Sequence, residues 1–130
     1  MYVVDASALV AIVMGEPERD YFLDVIKKSP GCITHVVSVF ESAMAFSNRT
    51  GSNAAAMLEI MAFLKEMNII IVASDSAILV ETAIARDRYG KGSGHRASLN
   101  LGDCVTYGVA KAMGMRILYK GEDFKFTDMA

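Results

Sequence analysis

The residues of this chain with the most chemical potential are acids that stand where predicted strands and helices meet. Asp5 directly follows residues 2–4, a β-branched and aromatic run typical of a buried strand, and Ser7 adds a hydroxyl two residues later. Ligands of open parallel sheets bind beyond the carboxyl ends of the strands, so Asp5 lies where a site would form. A single acid in this place could equally cap the following helix, and that alternative stays open.

Further acids flank other predicted strand and helix ends. Glu41 interrupts the apolar face of a helix about one and a half turns past a strand end, which keeps it within reach of Asp5. Asp103 stands at or near a helix start, where the helix dipole stabilises its ionised form. Glu122 and Asp123 follow the last predicted strand. Each acid alone has a structural explanation as a cap or a solvated side chain, whereas their convergence would indicate a site.

Such a set of carboxylates has a defined chemistry. Clustered carboxylates repel one another, and each would be partly protonated unless a cation neutralised them. Hard oxygen ligands suit Mg²⁺ or Mn²⁺, which retain waters and bind phosphate oxygens. Such a cation lowers the pKa of a bound water and stabilises in-line phosphoryl transfer. Neither His35 nor His95 has a suitably spaced partner for zinc, so the pattern favours a magnesium or manganese site.

One local basic patch stands out in a chain of net charge −2. It lies in and before a glycine-containing loop, and it is a candidate for contacts to nucleic-acid phosphates. A solvated loop is the alternative. The candidate residues are Arg86, Arg88, Lys91, His95 and Arg96.

The elements that must position these residues alternate between strands and helices. Short apolar runs predict strands at 2–4, 32–34, 69–72 and 116–119, separated by helical patterns with turn residues between them. The order predicts a single α/β domain over residues 1–130, with three α/β/α layers and a mainly parallel sheet of four or five strands. The continuous run 69–72 predicts a strand covered on both faces. The helix over 54–67 carries more large apolar residues than one stripe needs, which favours a partner on its second face.

Composition excludes several classes of protein. Although 53% of the residues are hydrophobic, no run reaches the roughly eighteen apolar residues that a membrane span needs. Asp5 interrupts the N-terminal apolar run and no basic segment precedes it, so we expect no signal peptide. Cys32 and Cys104 lie far apart without a CxxC pattern, which favours free thiols and a reducing cytoplasm.

Four motifs taken together resemble the PIN-domain ribonucleases, in particular the VapC toxins of bacterial and archaeal toxin–antitoxin pairs. They are the opening VVDASALVAI, the FES segment around Glu41, LNLGDCVTYGVAK and the closing LYKGEDFKFTD. They occur in family order and span nearly the whole chain. The resemblance implies endonucleolytic cleavage of RNA with Mg²⁺ or Mn²⁺, three central acids at Asp5, Glu41 and Asp103, and a fourth from the Glu122–Asp123 pair.

The fourth acid departs from the family pattern. Many PIN domains place it in a Thr-x-Asp strand end, where this chain has Lys120 and Gly121. Adjacent residues in a turn diverge, so Glu122 and Asp123 would not both face one metal. We choose Asp123, because the apolar Phe124 beside it should anchor in the core and hold its orientation, and we keep Glu122 as the second choice. Ser7, Asn100 and Glu122 are then supporting residues.

The resemblance also implies partners. A small VapB-like antitoxin is expected to lie over the apolar helices and to bring a cation to the acidic site, and a homodimer through the helical face is expected as well. Two other functions remain open. A phosphoreceiver-like binding switch would use an acceptor such as Asp75, and a catalytically inactive PIN module would use the apolar helix 54–67 as its main surface.

Overall fold

The computed structural model describes residues 1–130 and contains one parallel sheet of four strands, each only three residues long. The strands are β1 (Tyr2–Val4), β2 (Ile33–His35), β3 (Ile70–Val72) and β4 (Arg116–Leu118), and they lie in the order β3-β2-β1-β4. All pairs are parallel, with Val3 opposite Ile33 and Ile117. The predicted mainly parallel sheet of four or five strands is therefore confirmed.

Six helices cover the two faces of this sheet. They are α1 (Ala6–Val13), α2 (Arg19–Lys28), α3 (Val36–Thr50), α4 (Asn53–Glu66), α5 (Ser76–Tyr89) and α6 (Leu101–Met113). Because side chains alternate across a strand, Val4 and Leu118 enter the core under α1–α4, whereas Val3 and Ile117 enter the core under α5 and α6. The result is the predicted three-layer α/β/α domain. No helix is both long and apolar enough to cross a membrane.

One expectation about the sheet is wrong. The run that forms β3 predicted a strand covered on both faces, yet β3 lies at the edge of the sheet. Ile70 and Ile71 are 63% and 41% exposed. A local apolar run carries no information on strand order, so an edge strand and a central strand look alike in the sequence.

Helix α4 leaves apolar side chains on its outer face, as its sequence predicts. Ile60 and Leu64 are buried in the core, whereas Leu58 and Met61 are exposed. A second apolar face therefore lies on the surface of the domain.

Candidate active site

An open cavity of about 510 Å³ lies where β1 and β4 end, and the four predicted acids line it. Asp5 follows β1, Glu41 lies in the second turn of α3, Asp103 in the first turn of α6, and Asp123 follows β4. The predicted supporting residues Ser7 and Asn100 also line this cavity, together with Glu16 and Lys120. Residues more than one hundred positions apart in the sequence thus meet at the carboxyl end of the parallel sheet.

Asp5 is the most firmly held of these acids. Its carboxylate is 4% exposed, and Oδ2 accepts hydrogen bonds from the Ser7 backbone N–H at 3.1 Å and the Ser7 hydroxyl at 2.7 Å. Oδ1 accepts one from the Thr106 hydroxyl at 2.7 Å. The Ser7 hydroxyl oxygen also accepts from the Lys120 backbone N–H at 2.9 Å, which ties the ends of β1 and β4 together. Asp5 is therefore both the cap of α1 and an acid of the cavity.

Asp103 likewise combines two roles. It forms a capping box with Asn100: the Asn100 side chain accepts from the Asp103 N–H at 2.8 Å, and Asp103 Oδ2 accepts from the Asn100 N–H at 3.1 Å. Burial raises the pKa of the Asp103 carboxyl to about 7, in spite of the Asn100 N–H, and Asp5 and Asp123 add to this rise. Asp103 is therefore both part of the cap of α6 and an acid of the cavity.

Glu41 reaches the site because residue 102 has no side chain. A Cβ atom at Gly102 would overlap the Glu41 carboxylate, so α3 and the start of α6 touch at this point. Glu41 is half-buried, and burial, followed by the charge of Asp5, raises its pKa. The position of Glu41 on the apolar side of α3 is thus explained by the cavity it lines.

Replacing Gly102 with Ala is expected to move the Glu41 carboxylate and to lower activity roughly 100-fold, because small displacements of a reacting constellation have effects of that size. Gly102 lies within α6 in an ordinary helical conformation, so Ala fits the backbone there. RNA cleavage rates measured together with circular dichroism would check this. A variant that is folded and cuts as fast as the wild type would show that Glu41 does not need its present position.

The structure separates the two candidates for the fourth acid. Asp123 lines the cavity, whereas Glu122 does not and instead pairs with Lys125 at 2.8 Å. Phe124 is 1% exposed and anchors the segment in the core, as the choice of Asp123 from the sequence required. The role of Asp123 as a metal ligand remains a prediction.

Lys120 is a cavity residue that the sequence did not single out for the site. Its ammonium Nζ lies 3.0 Å from Glu16 Oε1 and 3.3 Å from Glu18 Oε2, so the loop after α1 holds it in place. It occupies the position at which the resemblance predicted a Thr-x-Asp strand end. A cation beside the four acids can attract the phosphate of a nucleic acid.

None of the predicted RNA-binding residues of the basic loop lines the cavity. Arg86, Arg88 and Lys91 are exposed at the end of α5 and after it. The Arg96 guanidinium stacks on Phe126, with its carbon 4.1 Å from the ring centre. These side chains could contact only the parts of a nucleic acid that extend beyond the cavity.

His95 has a structural explanation. Its ring packs edge-on against Tyr89, with the ring centres 4.8 Å apart, and its Nδ1 accepts a hydrogen bond from the Ala97 N–H at 3.0 Å. These contacts hold the loop against the end of α5. Its predicted contact with RNA stays a prediction.

The donor set of the cavity fits a hard divalent cation. The four predicted acids supply oxygen atoms only, and burial, with the charge of Asp5 adding to it, raises the pKa of Asp103 and of Glu41. As the side chains stand, no three His, Cys, Asp or Glu residues form a ready-made metal-binding group. The acids thus line one cavity without forming a finished ligand set, and a cation would have to draw them closer.

Comparison with known proteins identifies the family. Residues 2–129 match the model of the PIN domain, so the chain belongs to the PIN-domain family. It is 37% identical to a protein named ribonuclease VapC from Mycolicibacterium smegmatis, over 98% of this chain and 97% of that protein. It is 36% identical to ribonuclease VapC30 of Mycobacterium tuberculosis, over 98% and 95% of the two chains. A VapC ribonuclease of Rhizobium meliloti is 33% identical over 99% of both.

Proposed function

We propose that this protein is an endoribonuclease that depends on Mg²⁺ or Mn²⁺ and acts as the toxin of a type II toxin–antitoxin pair. The observation that carries the proposal is the meeting of Asp5, Glu41, Asp103 and Asp123 at one cavity. The chain's similarity to VapC ribonucleases over nearly its full length supports it.

The residues of the cavity would have different roles in such a reaction. Asp5, Glu41 and Asp103 would hold the metal directly and Asp123 would hold it through water. A divalent metal bound there would supply an activated water and stabilise the charge of the phosphoryl transition state. Ser7 keeps Asp5 oriented, and Asn100 keeps Asp103 oriented through the capping box. The Lys120 ammonium would attract the phosphate group that is to be cut.

A cleavage assay on a mixed RNA pool tests the proposal. We expect the purified protein to cut RNA internally in the presence of Mg²⁺ or Mn²⁺ and to stop when EDTA is added. Cleavage that survives EDTA would contradict the metal mechanism. Absence of cleavage with either metal would instead favour the catalytically inactive PIN module.

The phosphoreceiver alternative lacks support. Asp75, its candidate acceptor, is the cap of α5, and its Oδ1 accepts the Ile78 N–H at 2.9 Å. It follows the edge strand β3, away from the cavity acids. Together with the family match, this makes Asp75 a structural residue.

The basic loop is proposed as the outer RNA contact. Reversing the charge of Arg86 or Lys91 is expected to weaken RNA binding about 10-fold at low salt and much less at high salt. The variant would neutralise fewer phosphates and so release fewer counterions from the RNA, and this contribution to binding decreases as the salt concentration rises. Fluorescence anisotropy with a labelled RNA at several salt concentrations would measure this. A loss of binding that does not change with salt would point to a structural role for the loop.

We also propose that two copies of the chain associate through α3. Val36, Phe40 and Met44 form a stripe at helical spacing and are 62%, 48% and 45% exposed. Phe40→Asp is expected to convert a dimer to a monomer in light scattering, because it would bury a charge in the interface. Leu58→Asp on α4, where Leu58 is 70% exposed, is the matched control and should leave the dimer intact. A wild-type protein that is monomeric would contradict the proposal.

The proposed antitoxin would use a different surface. A cavity of about 320 Å³ lies between α1, α3 and α4, and its apolar walls include Ile12, Phe46 and Phe63. An amphipathic segment could lay its apolar face into such a groove and carry a cation on to the acidic site. A cytoplasmic location is part of this proposal, and the two free thiols, both buried, agree with it.

A further inference from the structure

A chain of polar side chains runs through the interior from β2 to the proposed nuclease site. His35, Ser38 and Thr106 are each 0% exposed, and none of them lines the cavity. Buried polar groups are costly unless they are hydrogen-bonded, so the partners of these three residues define what they do.

The chain ends on Asp5. His35 Nε2 lies 2.7 Å from Thr106 Oγ1, and the Thr106 hydroxyl donates to Asp5 Oδ1 at 2.7 Å. The Ser38 hydroxyl lies 2.9 Å from the same His35 nitrogen, and the Ser38 backbone N–H approaches His35 Nδ1 at 3.4 Å. Since β1 and β2 are parallel and Val3 pairs with Ile33, His35 occupies the same level of the sheet as Asp5.

The hydrogen-bond roles along this chain follow from the donors available. A carboxylate only accepts, so the single proton of the Thr106 hydroxyl goes to Asp5. The Thr106 oxygen, which also lies 3.4 Å from the Ser38 hydroxyl, then accepts from His35 at the shorter distance of 2.7 Å, which requires a proton on Nε2. The Ser38 N–H faces Nδ1, so that nitrogen carries the lone pair. Burial lowers the pKa of His35 to about 4, so the ring is neutral at pH 7 and holds one proton.

We infer that His35 is a positioning residue for the proposed metal site, acting through Thr106 to fix the Asp5 carboxylate. The inference rests on the proposed function. Thr106 holds Oδ1 from α6 and Ser7 holds Oδ2 from α1, so the carboxylate cannot rotate without breaking a bond on one side. His35 in turn fixes the direction in which Thr106 donates, as the orienting partners of metal ligands do.

Paired variants test this inference. His35→Leu removes the donor and Thr106→Val removes the hydroxyl, and each is expected to weaken Mn²⁺ binding and to slow RNA cleavage roughly 10- to 100-fold. His35→Gln and Thr106→Ser keep a donor in place and are expected to recover most of both. Ser42→Ala is the matched control: its buried hydroxyl bonds to the Ser38 carbonyl and does not reach Asp5, so Mn²⁺ binding should be that of the wild type.

Nuclear magnetic resonance of the ¹⁵N-labelled imidazole gives a measurement that does not depend on activity. The wild-type protein without metal is expected to show His35 as the Nε2–H tautomer, with a proton that exchanges slowly and whose resonance shifts in Thr106→Val. An Nδ1–H tautomer would overturn the inference. Folded His35→Leu and Thr106→Val proteins with unchanged Mn²⁺ affinity would overturn it too.

The failure of this inference can be told apart from the failure of the proposed function. A wild-type protein that binds Mn²⁺ and cuts RNA, while the His35 and Thr106 variants equal it, would overturn the inference alone. A wild-type protein that neither binds Mn²⁺ nor cuts RNA would overturn the proposed function and the inference with it.

Discussion

Replacement of Asp5 by Asn is expected to lower the rate of RNA cleavage roughly 1,000-fold, the scale on which loss of one preorganised electrostatic group acts. Glu41→Gln and Asp103→Asn are expected to do the same. All three acids line the cavity, and the amide side chains keep nearly the same shape while they lose the negative charge that would hold a cation. Growth inhibition in cells should disappear together with cleavage.

The folds of these variants should survive, because the capping bonds have substitutes. An Asn at position 5 can still accept from the Ser7 N–H, and an Asn at position 103 can still accept from the Asn100 N–H. Asp24→Asn is the matched control, since Asp24 pairs with Lys28 on the surface of α2 and does not line the cavity. Full activity in a folded Asp103→Asn protein would refute the assignment of the site.

The fourth acid should show a graded effect. Asp123→Asn is expected to lower activity roughly 10-fold without abolishing it, because a ligand that acts through water contributes less than a direct one. Glu122→Gln should have a smaller effect, as Glu122 pairs with Lys125 outside the cavity. Titration with Mn²⁺ separates the two acids: weaker affinity in Glu122→Gln and not in Asp123→Asn would reverse our choice.

Removal of divalent metal is the second change with a large expected effect. EDTA should abolish cleavage and Mn²⁺ should restore it, and metal should also stabilise the fold. Binding at one hundred times the dissociation constant contributes about 2.7 kcal/mol, which corresponds to a rise in Tm of roughly 8 °C for a domain of this size. Calorimetry at about pH 8 would measure this rise in the wild type, and Asp103→Asn should show little of it.

The metal-free protein should also lose stability as the pH rises. The pKa of Asp103 is raised from an ordinary 3.8 to about 7, so the folded state binds this proton more tightly than the unfolded state. Its stabilising contribution is complete below the lower value, declines between the two values, and is gone above the upper one. Thermal unfolding in EDTA across this range should show the decline, and Asp103→Asn should remove it. A wild-type Tm that rises instead would contradict the raised pKa.

The sequence predicted most of the fold because the elements have strong local signals. Each of the four strands has an apolar run, and α4 and α5 begin after Ser52 and Asp75, residue types that commonly cap helices. The edge position of β3 was missed, since strand order depends on long-range packing. The ion pairs of Lys120 with Glu16 and Glu18, just before α2 begins at Arg19, were missed for the same reason.

Asp5, Asp103 and Asp123 were found because they sit at strand and helix ends, and Glu41 was found because it interrupts an apolar helix face. Thr106 and His35 were not connected with the site, although a signal existed for each. Thr106 follows Asp103 by three residues, so both lie on one face of α6. His35 ends β2 as Asp5 follows β1, but the link between them needs the strand pairing, which the sequence does not display.

The double use of two acids has a consequence for how relatives of this protein should be compared. Asp5 caps α1 and Asp103 belongs to the capping box of α6, so selection for folding alone would keep a capping residue, Asp or Asn, at both positions after catalysis was lost. Glu41 lies inside α3, begins no helix, and its burial raises its pKa. A descendant that had become a non-enzymatic binding protein would therefore lose Glu41 first. The selection that keeps residue 102 a glycine would disappear with it.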